Sequence, residues 1–169
     1  FTFDEWKKKF KLIALERGVR LNTIENTIEK SIFLKDVIKY DRFQPEFYED
    51  TKTYISKRAN NKKVNSGLKI YKINKRTIDK ISQEFSVDKN LLLSLMGIET
   101  NFGNYLGKMD IVSSLATLSY DKRRSEFFTS ELITLLILFD KGIINPDNYL
   151  GSWAGAFGNF QFMPSTIKN

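Results

Sequence analysis

Helical spacing dominates the apolar pattern of this chain. Phe3, Trp6, Phe10, Ile13 and Ala14 fall on one face near the start, with Lys7, Lys8, Lys9 and Lys11 mostly between them, the period of an amphipathic helix. Asn22 or Thr23 is positioned to cap a short helix ending near Ile28. Pro45 disfavours helix at Gln44, so residues 41–45 predict an extended link. Helical character resumes over 46–57, with Phe47, Thr51, Tyr54 and Ile55 near one face. Gly67 punctuates the next stretch, and Ile73, Ile78, Ile81 and Phe85 predict another amphipathic helix after it.

The clearest helix start is Asp88, whose carboxylate can accept orphan backbone N–H groups. Residues 91–98, directly after it, are apolar on every side, which predicts a helix buried all round, and Glu99 stands at its end. A long helix is predicted over 124–141, with Phe127, Phe128, Leu132, Leu135, Leu136 and Phe139 inward and Gly142 just past its end. No strand alternation and no internal repeat is visible. Pro164 suits a first helical position, five residues before the last, Asn169, so the chain is expected to stop inside a domain of a longer parent. The longest apolar runs are eight residues, whereas a spanning helix needs about twenty; no transmembrane segment is predicted.

Composition narrows the chemistry. The 169 residues, with 41% hydrophobic content, suit one globular region. There is no Cys and no His, which removes thiol nucleophiles, Ser-His pairs and the commonest zinc ligands. Proton transfer in such a chain falls to Asp, Glu, Lys or Tyr. The net charge of +7 is uneven: residues 52–80 hold ten Lys and Arg against the single acid Asp79. Such a stretch either attracts a polyanion or is a solvated helical face. No nucleic-acid-binding motif accompanies it, and no Walker, dinucleotide or EF-hand pattern occurs.

Six of the nine glycines fall in two windows that also carry aromatics, Gly97–Gly103–Gly107 and Gly151–Gly155–Gly158. These are either the walls of a concave site or ordinary turns and close packing. Glu99 ends an apolar helix, where burial and the helix C-terminus both favour a protonated carboxyl, the form a general acid needs. The alternative is a Glu turned outward or paired with Lys108 or an Arg. Lys122, Arg123 and Arg124 at a helix start are either an anion site or surface charge.

Three blocks occur in order: Gly97-Ile-Glu-Thr-Asn-Phe-Gly103; Leu115-Ala-Thr-Leu-Ser-Tyr120 followed by Arg123-Arg124 and Phe127-Phe128; and Gly151-Ser-Trp-Ala-Gly-Ala-Phe-Gly-Asn-Phe-Gln-Phe-Met-Pro-Ser165. With Asp41-Arg-x-Gln44-Pro-Glu-Phe47 upstream, they make the chain resemble the lytic murein transglycosylase B family. The resemblance implies a mainly α, lysozyme-like helical domain, truncated at its C-terminal end. It reads as a single catalytic region over 1–169, with an N-terminal helical part (1–70) and an incomplete lysozyme-like core (71–169).

By the same resemblance Glu99 matches the family's single catalytic acid/base. Ser152 and Gln161 match saccharide-binding positions, Tyr54 an active-site tyrosine, and Arg123 and Arg124 a pair facing the peptide stem, while Phe162 and Met163 line the cleft. The implied reaction cleaves the β-1,4 bond between N-acetylmuramic acid and N-acetylglucosamine without water, giving a 1,6-anhydro product. No cofactor is implied and no metal site is assigned. The implied partners are peptidoglycan glycan strands and their stem peptides, not nucleic acid, in the periplasm or cell envelope; no oligomeric state is assigned. The competing readings are a hydrolytic muramidase and a non-catalytic wall-binding or scaffold module.

Overall fold

A computed structural model describes residues 1–43, 49–147 and 149–168. Its elements are helices and one short antiparallel pair, β1 (Met109–Asp110) with β2 (Leu150–Gly151), in which Met109 faces Gly151, and isolated bridges join Phe157 to Gly151 and to Phe162. The chain forms two compact units. One comprises Phe1–Phe43, Gly107–Phe157 and Phe162–Asn169; the other comprises Gln44–Leu106 and Gly158–Gln161.

The first unit holds the hydrophobic core. Helix α1 (Phe3–Glu16) opens on a capping box, Thr2 with Glu5, and buries Trp6, Phe10 and Ala14. Helix α7 (Ile111–Tyr120) is buried from Ile111 to Ser119. Its hydroxyls serve the neighbouring loop: Ser113 Oγ accepts from the Ile32 N–H at 3.1 Å and Thr117 Oγ1 from Leu34 at 3.0 Å. Helix α8 (Ser125–Asp140) buries Phe128, Leu132, Leu135, Leu136 and Phe139 as expected, but Phe127 is exposed. Gly142 follows the C-cap with φ +66°, a backbone conformation that glycine adopts without strain.

Helix α2 (Leu21–Thr27) begins ahead of the predicted caps, on Arg20, which provides no side-chain cap. Asp140 instead accepts from the N–H of Arg20 at 2.7 Å and from the Thr23 hydroxyl. A residue 120 positions away thus does what the N3 Glu of a capping box does, taking the N–H of the N-cap residue. Helix α3 (Lys35–Arg42) completes this unit's N-terminal part.

The second unit is built on helices. Asp50 caps α4 (Thr51–Arg58) and Asn60 caps α5 (Asn61–Glu84) through the N–H groups of Thr53 and Lys63. Of the predicted link at 41–45, Asp41 and Arg42 instead end helix α3 and only Phe43 is extended (φ −130°, ψ 107°), while 44–48 lie outside the described residues and the predicted 46–57 helix begins at Thr51. Gly67 does not interrupt the helix; it lies inside α5. The break comes at Asn74 (φ −108°, ψ 20°), whose side-chain amide donates to the Ile70 carbonyl at 3.1 Å and so competes with the helical ladder. Helix α6 (Lys89–Thr100) starts on Asp88 as predicted. Among this unit's described residues only Gly67, Gly97 and Thr100 are buried.

Candidate active site

Glu99 sits in the last turn of α6, and its side chain is exposed. The helix is not buried all round: Leu91 and Ile98 are exposed and Leu92, Leu93, Leu95 and Met96 only half-buried. The correction follows from packing, since α6 has a helical neighbour, α5, along one side while its other side faces solvent. Neither Lys108 nor any Arg pairs with Glu99; among the described residues its carboxylate has no hydrogen-bond or ion-pair partner.

The backbone just beyond Glu99 is held tightly. Thr100 is fully buried, and its hydroxyl donates to the Asn159 carbonyl at 2.9 Å and accepts from the Gly103 N–H at 3.0 Å. Asn101, Phe102 and Gly103 all have left-handed backbone, φ 50°, 59° and 83°, a strained run of the kind found at functional sites. The Phe102 ring fills the space a side chain would occupy at Gly97 and Gly67: a Cβ built there comes within 2.7 and 3.2 Å of it. From the other side, Lys63 Nζ donates to the Gly97 carbonyl at 2.8 Å, placing a cation at the negative end of α6.

The two glycine windows meet twice. Within the second unit Gly103 lies against the Asn159 side chain; within the first, a Cβ on Gly107 would overlap the Gly151 carbonyl at 1.9 Å. Such a backbone approach requires glycine.

The other sequence-predicted residues divide between the units. The second unit carries Tyr54 and Gln161 with Glu99. Tyr54 is half-buried beneath the Arg58 guanidinium, 3.9 Å from the ring centroid, and Arg58 and Lys57 both hold Glu49. Those hydrogen bonds, with Lys57 first, draw the Glu49 carboxyl below its ordinary value. Gln161 has φ +47°, and its amide nitrogen donates to the Leu106 and Gly158 carbonyls at 3.1 and 3.0 Å. Its donors are thereby used, leaving the amide oxygen as the group able to accept from a ligand.

The first unit carries Ser152, Arg123, Arg124, Phe162 and Met163. Ser152 Oγ accepts from the Ala154 and Ala156 N–H groups at 3.2 and 3.0 Å; its O–H hydrogen is the part left to donate. Phe162 is exposed, while Met163 packs against the core. Sequence reasoning missed two buried acids here. Glu131, in α8, accepts from the Ser165 N–H at 2.9 Å, in the first turn of α9 (Pro164–Lys168). Asp41 binds both arginines: Arg123 Nη1 donates to its carboxylate at 2.7 Å and to its carbonyl, and Arg124 Nη2 to its other carboxylate oxygen. Burial pushes the Asp41 carboxyl up, but the hydrogen bonds and charges of Arg124 and Arg123 outweigh it and hold the group below its ordinary value. The arginine side chains remain 49% and 39% exposed. Among the described residues no cluster of three acidic side chains could hold a metal ion, and no helix is long and apolar enough to cross a membrane.

Residues 2–169 match the Transglycosylase SLT domain family. The chain belongs to that family. Its resemblance to the membrane-bound lytic murein transglycosylase B of Escherichia coli K12 is 36% identity over 106 residues, 62% of this chain and 29% of that protein. SltB3 from Pseudomonas aeruginosa, solved in complex with NAG-NAM-pentapeptide, superposes with a TM-score of 0.94 at 29% identity, covering 99% of this chain and 45% of that one. The Escherichia coli lytic transglycosylase Slt35, in complex with bulgecin A, gives 0.83 at 27% identity, covering 96% and 52%. The chain therefore spans about half or less of each of these SLT-type relatives. The mainly α, lysozyme-like architecture implied by the motifs is the one observed.

Proposed function

We propose that this SLT-domain chain cleaves the glycan strands of peptidoglycan in the cell envelope, as a lytic transglycosylase using Glu99 as its one acid/base. The observation that carries this reading is an exposed, unpartnered carboxylate at the end of a helix whose exit is fixed by Thr100, in a chain matching the transglycosylase family over residues 2–169. The NAG-NAM-pentapeptide held by SltB3 supports a peptide-bearing glycan as the substrate class.

In the free chain water reaches Glu99, and sugar rings seated on it would exclude that water. Glu99 then donates its proton to the bridging oxygen as the bond from muramic acid C1 to that oxygen breaks. The substrate's N-acetyl oxygen stabilises the oxocarbenium-like C1, a recognised departure from the two-carboxylate scheme. The ionised Glu99 takes the proton from the C6 hydroxyl as that oxygen bonds to C1, which closes the 1,6-anhydro ring and restores the acid. No water is consumed. Ser152 donates to, and Gln161 accepts from, the saccharide, while Tyr54, Phe162 and Met163 present ring and apolar surface. Arg123 and Arg124 offer their exposed donors to stem-peptide carboxylates.

Glu99→Gln keeps the shape and removes the titratable proton. We expect no turnover of purified sacculi, with unchanged circular dichroism and retained glycan binding. Mass spectra of wild-type digests are expected to show anhydro-muramoyl ends. Full activity in the variant, or reducing-end products from the wild type, refutes the assignment.

A further inference from the structure

Helix α5 carries five cations that meet no acid among the described residues: Lys62, Lys69, Lys72, Arg76 and Lys80, all exposed. The other charges of this basic stretch are largely accounted for. Glu49 holds Lys57 and Arg58, and Asp79 accepts from Lys75 Nζ at 2.5 Å and from the Tyr71 hydroxyl at 2.7 Å. Lys63 is turned to the Gly97 carbonyl. Successive members of the unpaired set are seven, three, four and four residues apart, the repeat of a single helical strip. Three precede the bend at Asn74 and two come after it, and each group keeps that repeat.

The strip's surroundings decide what it fits. A helix that rests on lipid flanks an inserted apolar face with its cations. Here the exposed Val64 and Leu68 lie off the strip, lining a cavity of about 220 Å³ with Gly97, Ile98 and Phe102; among the cations only Ile73 protrudes. A row of unscreened positive charge facing water attracts a polyanion. In peptidoglycan the amino-sugar backbone is uncharged, and the carboxylates belong to the stem peptides.

We propose that the α5 strip is a second, non-catalytic surface that holds the enzyme to the stem-peptide carboxylates of the intact wall. This rests on the wall-cleaving reading for its partner, but not on Glu99. The test compares wild type with K62Q/K69Q/K72Q/R76Q/K80Q, glutamine being nearly as good a helix former as lysine. Binding is read by co-sedimentation with purified sacculi, and cleavage separately on a short soluble peptide-bearing tetrasaccharide.

Wild-type binding to sacculi is expected to fall roughly tenfold or more between about 50 and 200 mM salt, as counterion release requires. The variant should bind weakly at both concentrations and cleave the soluble substrate at the wild-type rate. Sacculi whose carboxylates have been converted to neutral methylamides with a carbodiimide and methylamine should hold wild type no better than they hold the variant. The charge-keeping variant K62R/K69R/K72R/K80R should bind as wild type does; its failure would make helix integrity the cause and overturn the proposal. Equal binding of wild type and the glutamine variant overturns it too, as does undiminished binding to amidated sacculi or preference for phosphatidylglycerol vesicles. Strip-dependent binding without any cleavage of the soluble substrate supports the surface and refutes the catalytic reading instead.

Discussion

Asp41 shows how much one side chain can organise. It is 2% exposed, yet it is ionised, because Arg123 and Arg124 bring hydrogen bonds and charge to both of its oxygens. The two guanidinium groups are thereby aimed, with donors left over at the surface. Asp41→Asn should lower unfolding stability by about 2–3 kcal/mol, below the full cost of an orphaned buried charge because the arginines stay half-exposed. Urea melting checks this. The pH dependence comes from the sign of the shift: a carboxyl held below its ordinary value stabilises the fold above its unfolded-state pKa, near 3.8, and loses that contribution as pH falls further. The variant's stability should therefore fall less steeply below about pH 4 than the wild type's. Should the arginines read stem peptides, the variant should also lose more activity on peptide-bearing strands than on bare glycan.

At the level of elements, the junction of α5 and α6 depends on two absent side chains. Gly97→Ala places a methyl 2.7 Å from the Phe102 ring, and that ring belongs to the left-handed run directly after Glu99 and Thr100. The expected cost is about 1–3 kcal/mol by overpacking, with a fall in turnover as the run shifts. Ser94→Ala, an exposed change on the same helix, should stay within about 0.5 kcal/mol. Denaturant midpoints of the two variants separate the effects. The helices themselves were legible where their signals were local: the α1 face, Asp88 as the start of α6, and Gly142 as the stop of α8. They were illegible where the deciding partner was distant. No neighbour of Arg20 announces that Asp140 takes its N–H, and no pattern around Arg123 announces Asp41. Gly67 looked like punctuation because spacing alone does not reveal that Phe102 fills its missing side chain. The motif around Glu99 marked a candidate site, but the exposure of α6 was not readable, since an all-round apolar helix predicts burial without saying what covers it.

Across the whole molecule, stability and candidate chemistry are unevenly shared. The buried core, from Trp6 to Phe157, lies in the first unit, whereas Glu99, Tyr54 and Gln161 belong to a unit with no large apolar side chain buried among its described residues. Local opening is easiest where few apolar contacts must be broken. Hydrogen exchange should therefore be slowest in α7 and α8 and markedly faster in α4 and the first turns of α5; equal protection in both would contradict this. The pin between Thr100 and Asn159 joins positions 59 residues apart. The sequence of helix α6 is thus synthesised well before the stretch of backbone that locks its exit. The backbone just beyond Glu99 is pinned only once Asn159 has been added, so the order of synthesis itself delays completion of the proposed site.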